Sequence, residues 1–383
     1  MDKPTVQDIF HRFYPAYLDQ YSPSPVQAKV AHNIMNCKTG AYGANVCVCE
    51  DCGFVQIHYN SCRNRCCPMC QAVPKEMWMD ARREDVLDAP YFHLVFTVPD
   101  ILNPVIYSNQ RLLYDALYHA ASSTISELTA DPKHLGAKVG YICILHTWGS
   151  EMNFHPHIHT ILLGGGLASN NQWKDNGENF FLPIRVISKM FRGKYLEELK
   201  RLWEEDKLVF HGTAEKFRNH YTFKELLDSC YGMDWIPHCK KTFNGAQTVI
   251  KYLGKYTHRI AVSNHRIVRM DDDTVTFLVK DYRNEGQWKE LTISGVEFVR
   301  RFLMHVPPRR FVRIRHYGLL CSRTKSQKLT LCRNLLGCKK YLSKLRDMEM
   351  PEILEYLYGI KVCVCKACGG HLGKPQMRMP LRC

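Results

Sequence analysis

Two periodicities alternate along this chain and predict its elements. Residues 91–98 are dense in aromatic and β-branched side chains and stop at Pro99, which predicts a buried strand. Residues 141–148 predict a second strand. After the short connection 149–154, the run His155-Pro156-His157-Ile158-His159-Thr160-Ile161-Leu162-Leu163 predicts a third that returns as a hairpin, with Gly164-Gly165-Gly166 at its exit. Period two reappears over 260–293, with turns at Ser263-Asn264 and Asp271-Asp272-Asp273. Helical spacing marks 74–87, 110–128, 184–208 and 244–259, and one or two helices within 1–36 interrupted by Pro23 and Pro25. Only 37–71 lacks a period. Strand and helix signals are thus interspersed along the chain, with one antiparallel hairpin legible at 141–163.

Four regions follow: a helical N-terminal arm (1–36), a cysteine-rich module (37–73), a mixed strand-and-helix domain (74–300) with an insertion at about 167–240, and a basic C-terminal region (301–383) with a second cysteine cluster. One short echo links the ends: Val46-Cys47-Val48-Cys49-Glu50-Asp51-Cys52-Gly53 recurs as Val362-Cys363-Val364-Cys365-Lys366-Ala367-Cys368-Gly369.

Charge narrows the partner. Lys and Arg number 52 against 37 Asp and Glu, and residues 300–346 hold fourteen of the basic residues and no acid. Such a block implies a polyanion, with Arg309, Arg310, Arg313 and Arg315 as candidate contacts to DNA phosphates. No apolar run reaches the roughly 18 residues of a membrane span, and Met1-Asp2-Lys3-Pro4 lacks the look of a secretory leader. A cytoplasmic protein without a membrane partner, associated with the nucleoid through DNA, is expected.

Cysteine usage points to metal. Of the 18 cysteines, eight fall between Cys37 and Cys70 and seven between Cys321 and Cys383. Clustering of this kind in an intracellular-looking chain favours zinc over disulfides. Cys49-x-x-Cys52 and Cys67-x-x-Cys70 are expected to share one tetrahedral zinc. Cys62 and Cys66 would serve a second, with Cys37, Cys47, His32 and His58 nearby. Cys365 and Cys368 would hold a C-terminal zinc, with Cys363, His371 and Cys383 available. Arg63 and Arg65, inside the first module, would meet phosphates.

The histidine strand carries the sharpest chemistry. Alternate side chains share a face, so His157 and His159 can hold one divalent metal while Ile158 points into a core. Hairpin pairing about 149–154 sets His146 opposite His157, making it the third ligand; His155 replaces it if the register slips by two. Three neutral imidazoles leave the ion its charge and open positions for phosphate oxygens. In 244–259, Tyr252 and Tyr256 stand four apart on one helical face, among Lys251, Lys255, His258 and Arg259, cations able to compensate a developing phenolate or grip phosphates. A metal-holding His-x-His strand beside such a pair suggests a nuclease that attaches itself to DNA.

These residues resemble a known family. Tyr59-Asn60-Ser61-Cys62-Arg63-Asn64-Arg65 through Cys67-Pro68-Met69-Cys70-Gln71, the strand 91–97, Leu145-His146-Thr147-Trp148-Gly149, the histidine run, Tyr252-Leu253-Gly254-Lys255-Tyr256-Thr257-His258-Arg259 and Arg315-His316-Tyr317-Gly318-Leu319-Leu320 are similar to blocks of the transposases of rolling-circle insertion sequences of the ninety-one type, within the wider HUH nucleases. Cys66 departs from the pattern, where many relatives would carry histidine. The resemblance implies an α+β fold, a central antiparallel sheet of HUH-nuclease type with the histidine strand in its middle, flanking helices and small zinc-binding modules, with 37–73 as the zinc-binding domain and 74–300 as the catalytic domain. It also implies cleavage of single-stranded DNA through a covalent 5′-phosphotyrosine. Tyr252 and Tyr256 would be the nucleophiles, with Mg2+ or Mn2+ at the histidines and structural Zn2+ at the cysteines. Single-stranded element ends and target would be the partners, with a host helicase assisting. A replication initiator or relaxase shares this chemistry, but no Gly-x-x-x-x-Gly-Lys-Ser/Thr helicase loop is present. The remaining alternative is a non-catalytic, zinc-dependent DNA-binding protein.

Overall fold

The computed structural model describes residues 3–176, 182–235, 237–243, 249, 254, 261–281, 286–374 and 376–378. Two capped helices open it. α1 (Val6–Gln20) begins on Thr5, whose hydroxyl accepts from the Asp8 amide while Asp8 accepts from the Thr5 amide; α2 (Pro25–Met35) begins on Ser24 and Gln27 in the same reciprocal way. A small hairpin follows, β1 (Ala44–Val48) and β2 (Val55–Tyr59), then α3 (Ala72–Arg83).

The strand expected at 91–98 is β3 (Tyr91–Thr97). After α4 (Asn103–Ser108) and α5 (Gln110–Ala130), the predicted hairpin is β4 (Lys138–Trp148) and β5 (Phe154–Leu167). β6 (Trp173–Asp175) pairs with the end of β5. The insertion contributes α6 (Ile184–Glu204) and α7 (His220–Gly232), and β7 (His238–Phe243) closes one sheet edge. A meander of β8 (Ile267–Met270), β9 (Thr274–Asp281) and β10 (Gln287–Ser294) leads into α8 (Gly295–Met304). β11 (Ile314–Gly318), α9 (Lys325–Leu336), α10 (Met350–Tyr358) and β12 (Gln376–Arg378) complete the described chain.

The main sheet runs β11-β4-β5-β3-β7 and is antiparallel throughout, with β5 in the middle. Its two faces divide the side chains by parity. Ile158 and Leu162 of β5 join Phe92, Leu94, Phe96, Cys143 and Leu145 beneath α4–α7 in one core. Ile161 and Leu163 join Tyr91, Ile142, Ile144, Leu87, Leu319, Leu320 and Leu329 in a second core on the opposite, histidine-bearing face. A third core, away from the sheet, packs α1, α2 and α8 against β8–β10 and takes in Cys37 and Cys67.

One expectation is corrected. The triple glycine does not end the hairpin: β5 continues to Leu167, because a side chain at Gly165 would strike the Trp173 ring and one at Gly166 the Lys138 carbonyl. The basic region contributes to the main sheet, β11 adding the edge strand beside β4. Within the N-terminal arm, Phe10 and Phe13 are buried against α8, joining the N-terminal helices to residues 261–306. No described helix is long and apolar enough to cross a membrane.

Candidate functional site

β4 and β5 pair with His146 opposite His157, and with Ile144 opposite His159. Side-chain parity then turns His146, His157 and His159 to one face. A nitrogen from each lies within 4.8 Å of the others, and all three residues are buried. Nε2 of His157 and Nε2 of His159 are 3.0 Å apart. Two neighbouring ligands of an octahedral ion with bonds of about 2.1 Å are also about 3.0 Å apart, so the pair fits a divalent cation. His155 stands aside, its Nδ1 3.2 Å from Asp100.

The surroundings hold the trio neutral and aimed. Nδ1–H of His157 donates to the His155 carbonyl at 2.7 Å, which leaves Nε2 as the lone-pair atom. Burial, with His155 close by, pushes His157 down to about 4; burial and the imidazoles of His146, His157 and His93 push His159 well below its usual value. Neutral imidazole is the ligating form. His93 was missed by sequence reasoning: on β3, its Nε2 lies 2.9 Å from Nδ1 of His159 and its ring stacks on that ring. A histidine within an otherwise apolar strand was the available signal. Trp148 stacks on His146 with centroids 4.5 Å apart, and the Arg313 guanidinium lies over the Trp148 ring, 5.4 Å from its centroid.

Tyr252 and Tyr256, with Lys251, Lys255, His258 and Arg259, lie outside the described residues. Two described neighbours bracket position 252. Val249 is buried in the core on the histidine face, and Gly254, helical and buried, sits so close to α3 that a side chain there would meet Met79.

The cysteines group differently from the expectation. Cys67 and Cys70 are joined by Cys37 and Cys62, while Cys49 and Cys52 are joined by Cys365 and Cys368; within each set the sulfurs lie within 4.8 Å. Cys66 belongs to neither. Its neighbour Cys67 faces the first set, whereas Cys66 is buried beside Arg65 and Arg313, and burial pushes its thiol up to about 11. Hydrogen bonds from Cys62 and Cys67 lower the Cys70 thiol, while the same crowding and burial raise Cys67. Cys47, His32 and His58 join neither set, and Cys383 lies outside the described residues.

The predicted phosphate contacts also divide. Arg63, Arg309 and Arg310 are exposed, and the last two line an open cleft of ≈ 340 Å³ with Lys29 and Asn64. Arg65, also exposed and on the same cleft, donates to the carbonyls of Phe311 (2.6 Å) and Pro308 (3.3 Å). Arg315 is bound by Asp115 and lies 4.0 Å from the Tyr118 centroid, and Arg313 packs on Trp148. These three fasten β11 and its approach to the body.

A central antiparallel sheet with converging imidazoles on one face, attached to four-cysteine clusters, defines a metal-binding α+β protein. A family profile described as "Putative transposase" matches residues 140–328, and one described as "Transposase zinc-binding domain" matches residues 9–98. The chain is 42% identical over 369 residues to "Putative transposase y4qJ" of Sinorhizobium fredii, covering 95% of this chain and 93% of that protein. It is 30% identical over 309 residues to the transposase for insertion sequence element IS801 of Pseudomonas savastanoi pv. phaseolicola, covering 79% and 72%. The chain belongs to this family, the transposases of insertion sequences of the ninety-one type, with an N-terminal zinc-binding domain. Among solved structures it is similar to the conjugative relaxase TrwC in complex with oriT DNA, at 12% identity and a TM-score of 0.25 over 43% of this chain and 68% of that one, a likeness too slight to build on.

Proposed function

We propose that this transposase is a tyrosine nuclease and strand transferase of single-stranded DNA. The observation that carries the reading is the convergence of His146, His157 and His159 on one face of the sheet. These residues would hold Mg2+ or Mn2+, which supplies Lewis-acid polarisation of the scissile phosphate.

Around that centre the chain's own groups divide the work. The Tyr252 or Tyr256 hydroxyl attacks phosphorus: a tyrosyl O–P bond forms, the P–O3′ bond breaks, the phenol gives up its proton and the departing strand takes one as its 3′ hydroxyl. The phosphodiester count is unchanged, so the reverse attack by another strand's 3′ hydroxyl needs no external energy source. A phenol titrates near ~10; Lys251, Lys255 and Arg259 would ease its ionisation and grip flanking phosphates. Arg63, Arg309 and Arg310, exposed at the zinc module and the loop before β11, would hold single-stranded element ends or target along their backbones.

The experiment is incubation of the purified chain with end-labelled single strands from the flanks of its gene, with Mg2+ or Mn2+, followed by denaturing electrophoresis. A protein–DNA adduct absent from His157→Ala supports the reading. Binding without an adduct under every metal condition overturns it.

A further inference from the structure

Cys365 and Cys368 lie outside both matched family regions, 140–328 and 9–98. They nevertheless reach Cys49 and Cys52. Sγ of Cys49 is 3.5 Å from Sγ of Cys368, and Sγ of Cys52 is 3.8 Å from Sγ of Cys365, across 319 and 313 residues of chain. Four thiolates around a tetrahedral zinc with Zn–S bonds near 2.3 Å are about 3.8 Å apart.

The echo noted in the sequence folds as two copies of one knuckle. The Cys49 amide donates to the Phe54 carbonyl at 2.9 Å and the Gly53 amide returns to the Cys49 carbonyl at 3.0 Å. In the second copy, Cys365 donates to Gly370 at 2.8 Å and Gly369 returns to Cys365 at 3.0 Å. Gly53 and Gly369 sit at φ of 70° and 76°, the left-handed turn that lets the second cysteine fold back beside the first. Amides also point at sulfur: Ala367 N–H at Cys365 and Gly370 N–H at Cys368, each 3.4 Å, an arrangement that favours thiolate. Backbone pairing continues the join, with β12 on β1 and Glu50 donating to the His371 carbonyl.

Apolar burial is too small to hold this contact. Among the described residues the buried cluster here is Cys47, Cys49, Cys365 and Leu372. A core of one leucine and three cysteines requires another staple.

We infer that Cys49, Cys52, Cys365 and Cys368 form a single zinc site, one knuckle from each end of the chain, which clasps the C-terminal segment onto the N-terminal zinc-binding domain. Loading exchanges thiol protons for the ion and involves no redox step. The clasp does not depend on the nuclease reading.

Native mass spectrometry of the intact full chain tests it. Cys49→Ser/Cys52→Ser and Cys365→Ser/Cys368→Ser should each lose one zinc relative to wild type, and the quadruple variant should lose that same one. Loss of two from the quadruple, loss of none from either double, or iron in place of zinc would overturn the inference. Cys321→Ser/Cys338→Ser should lose none; a zinc lost there would count against the assignment as well. A second measurement keeps every cysteine. The chain is nicked at a protease site inserted in the exposed loop 359–361, beyond the contacts of Tyr341, Ser343, Leu345 and Arg346 with α3 and its end, and the C-terminal fragment should co-elute with the body until a chelator strips the zinc. Release before chelation, or retention after the zinc has left, would overturn the clasp.

Discussion

His93 on β3 reaches across to His159 on β5, Nε2 to Nδ1 at 2.9 Å, with the two rings 12° from parallel. Both side chains are buried, so the contact fixes the ring of His159 and turns its Nε2 toward Nε2 of His157. Outer partners of this kind are typically worth about 10- to 100-fold in metal affinity. His93→Phe keeps the stack and removes the hydrogen bond. It should weaken Mn2+ binding by that range in calorimetric titration with little change in the folded sheet, and His93→Gln should recover part of the loss. Unchanged Mn2+ affinity in His93→Phe would leave the contact without a role at the metal.

Gly254 gives a second handle, because a side chain there would run into Met79 of α3. Overpacking of this kind typically costs about 1–3 kcal/mol. Gly254→Val should therefore cut adduct formation strongly, displacing the segment that carries both tyrosines, while affinity for single-stranded DNA holds within about threefold. Met79→Ala, which opens the space, should restore much of the activity to Gly254→Val. Absence of any such rescue would show that the glycine is required for a reason other than the α3 contact.

What was legible follows from where the information lies. The hairpin could be read with its register because alternation has a period of two and the connection 149–154 is short; His146 does face His157. The cysteine grouping could not, since a Cys-x-x-Cys pair states its own geometry and nothing about its partner. Sequence proximity favoured Cys67 and Cys70 as partners of Cys49 and Cys52, whereas the fold supplies a pair more than three hundred residues away. The echo between the two ends held that information but read as a repeat. β11 was hidden for a different reason: Arg313 and Arg315 look like phosphate contacts in a basic block, and only the neighbours Trp148, Asp115 and Tyr118 turn them inward.

The two tyrosines should be separable by step. Tyr252→Phe and Tyr256→Phe remove only a hydroxyl, so each is expected to leave affinity for single-stranded ends within about twofold. With substrates for two successive cleavages, one single variant should stop after the first transfer and the other should fail to begin. The double variant should form no adduct. Covalent product from the double variant would place the nucleophile elsewhere.

Acid should loosen the fold through His305, which is buried at the end of α8 beneath the sheet's hairpin. Its Nε2 lies 3.0 Å from the Met152 carbonyl and its Nδ1 3.2 Å from the Thr147 hydroxyl, and burial pushes its pKa down from 6.5 to about 4. Between those values the unfolded chain binds the proton and the folded chain does not, so stability rises with pH through this window. It is fully present above 6.5 and lost as pH falls toward 4. A shift of this size corresponds to about 3 kcal/mol. Urea midpoints taken from pH 7 to 4.5 should fall steeply for the wild type and less steeply for His305→Gln, which keeps hydrogen-bonding capacity without a titrating ring. Parallel profiles for the two proteins would assign the acid sensitivity to the buried His157 and His93 and the half-buried His316, whose pKa values are likewise pushed down to about 4.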